Sequence, residues 1–391
     1  MPLVTDLDDL GLDTGGQLLI ERALAGLTAG ARVEIRGTHP ALALHLGAWC
    51  RGQGHRLEPE GGALTVVKGT ADAERWTGAE RAGTAQRPAA VADRSWGLAA
   101  RGALIEAGGP PLSVEWVDRD LIWADVAPQL YASAAASQWD PATAVGWQAE
   151  LSAPAEIEDA IVQVMTFLIE NEQAALVLPA RLLTQLHPHF REVMQLLAAQ
   201  VADEARHIEI FTRRALLHRD QLGVSGAGGR ASLQTLLDER DFTLASFLLS
   251  VLGEGTFLDL LRFLNEHAPD PVTADVTRLA GRDEARHVAF GVAHTAHVAA
   301  VDPQFLARLR FAVERRHAAL ADTAGLNQQV FDSLVLIAAG SFRPAAIKRG
   351  WQAVERLKQA MDEGRRRRLA AIGFPDDEAA EISALHTRNF M

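Results

Sequence analysis

The chain has 391 residues, 48% of them hydrophobic, which is enough apolar side chain for a large core and predicts two or three domains. Its 38 basic and 50 acidic residues give a formal net charge of −12, which argues against a nucleic-acid or anionic-membrane surface. One cysteine, Cys50, excludes an internal disulfide, and the acidic N-terminus lacks the apolar segment of a secretory signal, so a cytoplasmic protein is expected.

The first part of the chain, residues 1–69, predicts a small α/β two-layer domain. Residues 33–36 (VEIR) alternate in polarity as a short strand does, and residues 63–68 form a second strand. Amphipathic helices are predicted over residues 16–27 and 39–50.

A stretch of this domain, from Arg36 to His55, resembles the TusA-like sulfur-carrier fold, and the resemblance extends over roughly residues 8–69. Such carriers work through a Cys-Pro pair at the start of their first helix, where this chain has DTGG at residues 13–16. The resemblance therefore implies a domain without relay chemistry, used for docking, dimerisation or substrate presentation. Cys50 is expected to be a small buried apolar residue.

Residues 70–150 are assigned to a linker and packing segment. Residues 69–101 are rich in Ala, Gly, Arg and Thr, a composition with little intrinsic order. Residues 111–117 are a candidate strand. Four tryptophans are expected to pack on the outside of the following domain, because such a series is more typical of core packing than of a redox wire: Trp116, Trp123, Trp139 and Trp147.

The pentapeptide Asp-Glu-Ala-Arg-His occurs twice, at residues 203–207 and 283–287, in apolar segments with helical periodicity. Three residues nearly complete one helical turn, so the Glu and the His of each copy share a face. Two such Glu-x-x-His helices supply half of a dimetal site in a four-helix bundle, and two further helices each supply one Glu. The bundle is assigned to residues 151–301, with a flexible crossover at residues 221–229.

In the first half of the bundle, the lone carboxylate is sought in the apolar segment of residues 161–183, which contains Glu170 and Glu172. Antiparallel helices place residues level when both are equally far from the turn. Pro188 marks the turn and lies sixteen residues from both Glu172 and Glu204. Glu172 is therefore predicted as the ligand, with Glu170 as the fallback.

In the second half, residues 242–264 contain one suitable carboxylate, Glu254. It lies fifteen residues before Pro269, and Glu284 lies fifteen residues after it. Apolar stretches such as residues 245–252 are too short to span a bilayer, so no membrane association is expected.

The six predicted ligands would be costly to bury without a compensating partner, and two divalent cations neutralise four carboxylates. A buried salt-bridge network and a degenerate, metal-free site are the alternatives. The predicted metal ligands are Glu172, Glu204, His207, Glu254, Glu284 and His287.

A supporting layer is predicted around these ligands. Asp203 and Asp283 lie four residues before the histidines of their own helices, where each could accept the free ring N–H of the histidine on the opposite helix. Arg206 and Arg286 are expected to hold these aspartates in bidentate pairs. The alternative is that all four are ordinary exposed helix residues.

Glu254 is flanked by Gly253 and Gly255. Two glycines inside a helix cost about 1–2 kcal/mol relative to alanine, so a compensating role is expected. They would leave room for dioxygen or substrate beside a ligand and permit a π-bulge, or they would allow a close helix crossing.

The order of these motifs resembles the ferritin-like di-iron carboxylate proteins, in particular the branch of the ribonucleotide-reductase small subunit and bacterial multicomponent monooxygenases. The resemblance covers about residues 135–300. It implies a mainly α protein with a ferritin-like four-helix bundle and extra flanking helices. It also implies two carboxylate-bridged iron ions (Fe2+/Fe3+), with Mn/Fe as an alternative, that react with dioxygen.

Departures from that family narrow the function. The reductase subunit has a radical tyrosine two turns after the Glu of the second helix, where this chain has Phe211, and its one tyrosine, Tyr131, lies outside the bundle. Arylamine N-oxygenases add a third histidine one turn before the Glu of the last helix, where this chain has Ala280. Stable tyrosyl-radical chemistry is not expected.

The function implied is that of a non-haem di-iron oxygenase or oxidase acting on a small or carrier-tethered substrate, with sulfur- and nitrogen-containing compounds as the first to test. An electron donor and a second copy of the chain, in a homodimer, are the expected partners. The alternatives are a ferritin-like metal-binding or peroxide-detoxifying protein without an organic substrate, and a sulfur-relay scaffold.

Residues 302–391 are assigned to helices that flank the bundle, with predicted helices over residues 304–322, 328–337 and 348–361. The run of four arginines at residues 365–368 is interpreted as a solvated face or a subunit contact rather than a phosphate site.

Overall fold

A computed structural model of the chain describes residues 3–60, 62–70, 75–150, 153–320 and 328–387. The predicted segment ends at residues 1, 151, 322 and 391 lie outside these ranges. The chain divides into two compact units, Met1–Gln86 with Ser95–Pro111, and Arg87–Arg94 with Leu112–Met391.

The first unit is built on a four-stranded sheet in the order β1-β2-β4-β3, in which β1 and β2 are parallel and the other pairs antiparallel. The strands are β1 Leu3–Asp6, β2 Arg32–Arg36, β3 Arg56–Glu60 and β4 Ala63–Val67. Two helices, α1 Gly16–Leu24 and α2 Leu42–Gly52, contribute to its core. A two-stranded sheet joins β5 Glu80–Arg81 to β6 Leu104–Ile105.

The core of this unit follows from two periodicities. Val33 and Ile35 alternate inward from β2, while Leu42, Leu46 and Cys50 recur every four residues along one face of α2. The predicted small α/β region is confirmed, and β1 and β3 are additions to it. Both are edge strands with largely polar or exposed side chains, so they carry no hydrophobic alternation. The similarity to sulfur carriers stays a prediction.

The second unit is a ferritin-like four-helix bundle, as predicted, preceded by helix α3, Ala127–Ala136. Three of its rods are the helices α4 Ala155–Leu183, α5 Arg191–Ala215 and α9 Pro271–Val301. The remaining rod is composite, with α7 Phe242–Ser246, a π-helix Phe247–Glu254 and α8 Gly255–Glu266.

The turns between the rods lie where the prolines predicted them. A 3-10 turn, Pro188–Phe190, joins α4 to α5, and residues 267–270 join α8 to α9. The N-terminus of helix α9 is stabilised by a cap, because the Asp270 carboxylate accepts a hydrogen bond from the backbone N–H of Thr273 at 2.7 Å. Pro271 occupies the first helical position. Each half of the bundle is thus an antiparallel pair.

The crossover between the two halves differs from its prediction as a flexible loop. Its second part belongs to a helix, α6 Ala227–Leu237. Its first part is fastened to α4, because Gly223 N donates to Thr166 Oγ1 at 2.7 Å and Val224 N donates to Gln163 Oε1 at 2.8 Å. The glycines of residues 221–229 predicted a flexible backbone, but hydrogen bonds to α4 fix its first part.

Four helices follow the bundle: α10 Phe305–Leu320, α11 Gln328–Ala339, α12 Pro344–Ile372 and α13 Asp376–Thr387. Helix α12 continues through Gly364, so the interpretation of the arginine run as a solvated face is wrong for two of its members. Arg365 is buried, and Arg368 donates from Nε to the carbonyl of Val251 in the π-helix at 2.8 Å.

Two helices of the described residues are long and apolar enough to cross a membrane, Ala155–Leu183 and Phe242–Glu266, and a third span results if the bent pair of α11 and α12 counts as one. The 18-residue apolar windows of the first two are 72% and 83% buried inside the protein. Packing in the bundle core therefore accounts for their apolar composition.

Candidate metal centre

Six buried side chains, one or two from each rod of the bundle, converge in its interior. Their potential ligand atoms form two groups, and within each group all lie within 4.8 Å of one another. The first group is Glu172, Glu204, His207 and Glu284. The second group is Glu204, Glu254, Glu284 and His287. Glu204 and Glu284 belong to both groups, as carboxylates that bridge two metal ions would.

Helical geometry explains the convergence. Glu204 and His207 on α5, like Glu284 and His287 on α9, lie one turn apart on the buried face of their helix. Glu172 and Glu204 lie equally far from their connecting turn, which predicted that they would be level, and the structure has Glu172 in the cluster. The fallback, Glu170, lies outside both groups and is half-buried.

Both histidines point Nδ1 at the carboxylates. Nδ1 of His207 lies 3.1 Å from Glu204, 3.3 Å from Glu284 and 3.5 Å from Glu172. Nδ1 of His287 lies 3.0 Å from Glu204, 3.5 Å from Glu284 and 4.0 Å from Glu254. The same ring nitrogen of each histidine is thus placed as a metal ligand.

The other ring nitrogen of each histidine faces the aspartate of the opposite helix. Nε2 of His287 lies 3.2 Å from Asp203 in a hydrogen bond, whereas Nε2 of His207 lies 3.5 Å from Asp283 outside regular hydrogen-bond geometry. Each histidine thus faces the aspartate of the opposite helix, and this placement presents Nδ1 to the cluster.

The arginines bind these aspartates differently from the expected bidentate pairs. A single nitrogen of Arg286, Nη2, donates to Asp203 at 3.0 Å and to Asp283 at 2.7 Å. Arg206 contacts the same two carboxylates through its Nη2. Two guanidinium groups thus bridge the two aspartates across the helix pair, because the aspartates lie side by side rather than apart.

Trp139 and Gln200 complete this polar layer, and neither was predicted from the sequence to lie at the metal site. The indole N–H of Trp139 donates to Asp283 Oδ2 at 2.7 Å, and Arg206 lies over the indole ring. Gln200, one turn before Glu204 on α5, donates to Glu254 at 2.9 Å. The four-residue spacing of Gln200 and Glu204 could have predicted that both lie on one helix face, whereas Trp139 lies 144 residues from its partner and no local pattern joins them.

Electrostatics in the cluster are those of four carboxylates packed together in a buried site. Burial, with the charges of Glu204 and Glu284, raises the pKa of Glu172 well above its usual range. Burial and Glu284 do the same to the pKa of Glu254. Burial alone would lower the pKa of His207, but interactions with Asp283 and the surrounding glutamates raise it.

The residues fit a pair of divalent cations. Each of the four glutamates has one buried oxygen without a hydrogen-bond partner, and Nδ1 of His287, although 3.0 Å from Glu204, is not in hydrogen-bond geometry with it. Buried polar atoms are nearly always satisfied, so five such atoms at one place indicate a missing partner. Carboxylates and imidazoles with this geometry bind two metal ions, which would satisfy these atoms and neutralise the four carboxylates.

An apolar cleft leads to the cluster. Three glutamates of the cluster line it: Glu172, Glu254 and Glu284. Gly253 also lines this cleft, as its predicted pocket role requires. Gly255 lies elsewhere, against Arg368, whose Nε is 2.3 Å from the position of an added Cβ. Gly255 thus contacts the Arg368 side chain of a neighbouring helix.

No protein-family model matches the chain, and no curated protein matches it. Among solved structures, a variant of an R2-like ligand-binding oxidase with an aerobically reconstituted Fe/Fe cofactor is similar at 15% identity and a TM-score of 0.50, covering 63% of this chain and 92% of that one. A second variant of such an oxidase, with an Mn/Fe cofactor, has 15% identity and a TM-score of 0.45 over 68% and 92%. The first of these likenesses shows a shared ferritin-like fold.

Proposed function

We propose that this protein is a non-haem dimetal oxidoreductase of the oxygenase or oxidase type. It binds two iron ions, or manganese and iron, and uses dioxygen as co-substrate to oxidise a small or carrier-tethered organic molecule. The convergence of six side chains on two ligand groups that share Glu204 and Glu284 carries this proposal. The Fe/Fe cofactor of a structurally similar oxidase supports the choice of metal.

The chain's own residues would contribute positioning, charge and access. Asp203 and Asp283 orient the histidine rings and keep Nδ1 directed at the cluster. Arg206 and Arg286 balance the aspartate charges, so the four glutamates remain available to cations. The metal pair supplies the redox chemistry when bound.

The cleft at Gly253 gives a substrate access to Glu172 and Glu254. Insertion of one oxygen atom from dioxygen consumes two electrons and two protons and releases water. An electron donor is therefore part of the proposal, as are a homodimer and a cytoplasmic location. Sulfur- and nitrogen-containing compounds form the first substrate panel.

Metal counting after anaerobic loading with ferrous ions and exposure to oxygen tests the proposal. We expect two irons per chain and oxygen consumption. Glu172→Gln should reduce the iron content to about one, because the first ligand group loses its only unshared carboxylate. The matched control Glu170→Gln changes a half-buried glutamate outside both groups and should keep two irons.

Equal iron loss in the two variants would overturn the ligand assignment. Two bound irons with peroxide consumption but no oxidised product from any panel compound would instead favour a peroxide-detoxifying protein. Correct folding without metal uptake would favour a scaffold.

A further inference from the structure

Arg316, on α10, lines the same cleft as the three cluster glutamates. Its guanidinium is held entirely by neutral groups of α6. Nε donates to Thr235 Oγ1 at 3.0 Å, and Nη2 donates to Ser232 Oγ at 2.8 Å. Among the described residues, no carboxylate lies within ion-pair distance of it.

Two buried arginines of the bundle, by contrast, are paired with acids. Arg214 contacts Glu158 and Asp270, and Arg286 contacts two aspartates. Burial lowers the pKa of Arg316 to about 10, which still leaves the guanidinium charged at neutral pH. Arg316 is thus a fixed cation in a mostly apolar cleft, oriented by two hydroxyls and available to an anion.

Apart from Asn171 and the three cluster glutamates, the rest of the cleft wall is apolar. Helix α6 contributes Leu233 and Leu236, the π-helix contributes Leu248 and Leu249, and α8 contributes Phe257. Such walls favour a hydrocarbon or aromatic body, and Arg316, the one basic group that lines the cleft among the described residues, would fix the orientation of an anionic ligand.

We propose that Arg316 binds the anionic group of an amphiphilic substrate, a carboxylate on an apolar body, and that this body occupies the cleft leading to the glutamate cluster. That the bound molecule is a substrate rests on the proposed function, whereas its binding to Arg316 does not. Arg316 would act as a specificity-determining residue that selects monoanionic amphiphiles and directs their apolar part toward the cluster.

Calorimetric binding of octanoate and its neutral analogue octanamide to the full chain tests this proposal, in the metal-free and the iron-loaded form. We expect octanoate to bind at least ten-fold more tightly in both forms. Arg316→Gln should abolish this preference, and Arg316→Lys should restore part of it. Arg308→Gln, on an exposed arginine of the same helix, should keep it.

Because Arg316→Gln also removes two hydrogen bonds to α6, circular dichroism and thermal unfolding must show that the variant folds. Ser232→Asp provides an independent variant that retains the arginine. Its carboxylate would lie beside Nη2 and compete with the ligand, so the preference for octanoate should again disappear.

Two results would overturn the proposal. In one, Arg316→Gln and Ser232→Asp keep the ten-fold preference. In the other, the preference exists only in the iron-loaded protein, which would place the carboxylate on the metals. Failure of the proposed function is separate, because it is read from iron content and oxygen consumption, whereas anion binding by the metal-free chain requires neither.

Discussion

Individual side chains of the cluster were predictable where one helix or one turn fixed them. The three-residue spacing of Glu204 and His207 and the distance of Glu172 from its turn are local properties of the chain, and helical geometry converts them into positions. Arg316 and Trp139 could not be assigned in this way. Their contacts arise from tertiary packing between distant segments, which no local pattern records.

His294 offers a test of burial at the residue scale. It is fully buried, Thr243 and the Trp123 carbonyl lie 2.9 Å from its ring nitrogens, and burial lowers its pKa to about 4. Below about pH 6.5 His294 is protonated in the unfolded chain but stays neutral in the folded chain. Its contribution to stability is therefore fully present above that pH and is lost as pH falls toward about 4. Between pH 7 and 5 the loss from His294 is about 2 kcal/mol.

Urea unfolding of the metal-free chain at these two pH values measures the effect. Since the cluster also titrates, the informative quantity is the difference between the wild type and His294→Gln. The variant should be less stable at pH 7 and should lose about 2 kcal/mol less on acidification. Equal losses in the two proteins would show that His294 is protonated in the folded state.

At the scale of elements, the composite rod shows what sequence can and cannot decide. Glycines on both sides of Glu254 predicted either a π-bulge or a close crossing, and the structure has both features. The π-helix ends at Glu254, and Gly255 meets Arg368. A second close contact, between Ser250 in the π-helix and Gly291 on α9, was not predicted from the sequence. It depends on how the composite rod packs against α9.

Gly291→Ala should disrupt this crossing. The added Cβ would lie 2.5 Å from Ser250 Cβ, so the π-helix and α9 must separate. We expect a loss of about 1–3 kcal/mol in unfolding free energy and weaker metal binding, because Glu254 moves away from His287. Gly281→Ala on the same helix is the control, since its Cβ would lie 3.7 Å from Leu261 and helix propensity should add up to about 1 kcal/mol. Thermal unfolding that ranks the two variants in the opposite order would contradict the packing argument.

For the whole molecule, metal binding and protonation compete for one buried cluster. Burial raises the pKa of Glu172 and Glu254, and interactions with the neighbouring carboxylates raise that of His207 and His287 despite burial. Above about pH 4.5 the metal-free folded chain therefore binds more protons than the unfolded chain, so its stability falls as pH rises, first through the two glutamates and above about pH 6.5 also through the two histidines. Metal ligands must be deprotonated, so metal loading should remove this loss.

Loading with Mn2+ should consequently release up to four protons, one from each of these residues, and bind more tightly as pH rises. Calorimetry in two buffers of different ionisation enthalpy counts the protons, and thermal unfolding with and without the metal gives the stability at each pH. Glu254→Gln removes one titrating carboxyl group, so it should release about one proton fewer. Metal binding with no proton release at neutral pH would mean that the free cluster is already deprotonated, and the metal-free chain would then not lose stability as pH rises above about 7.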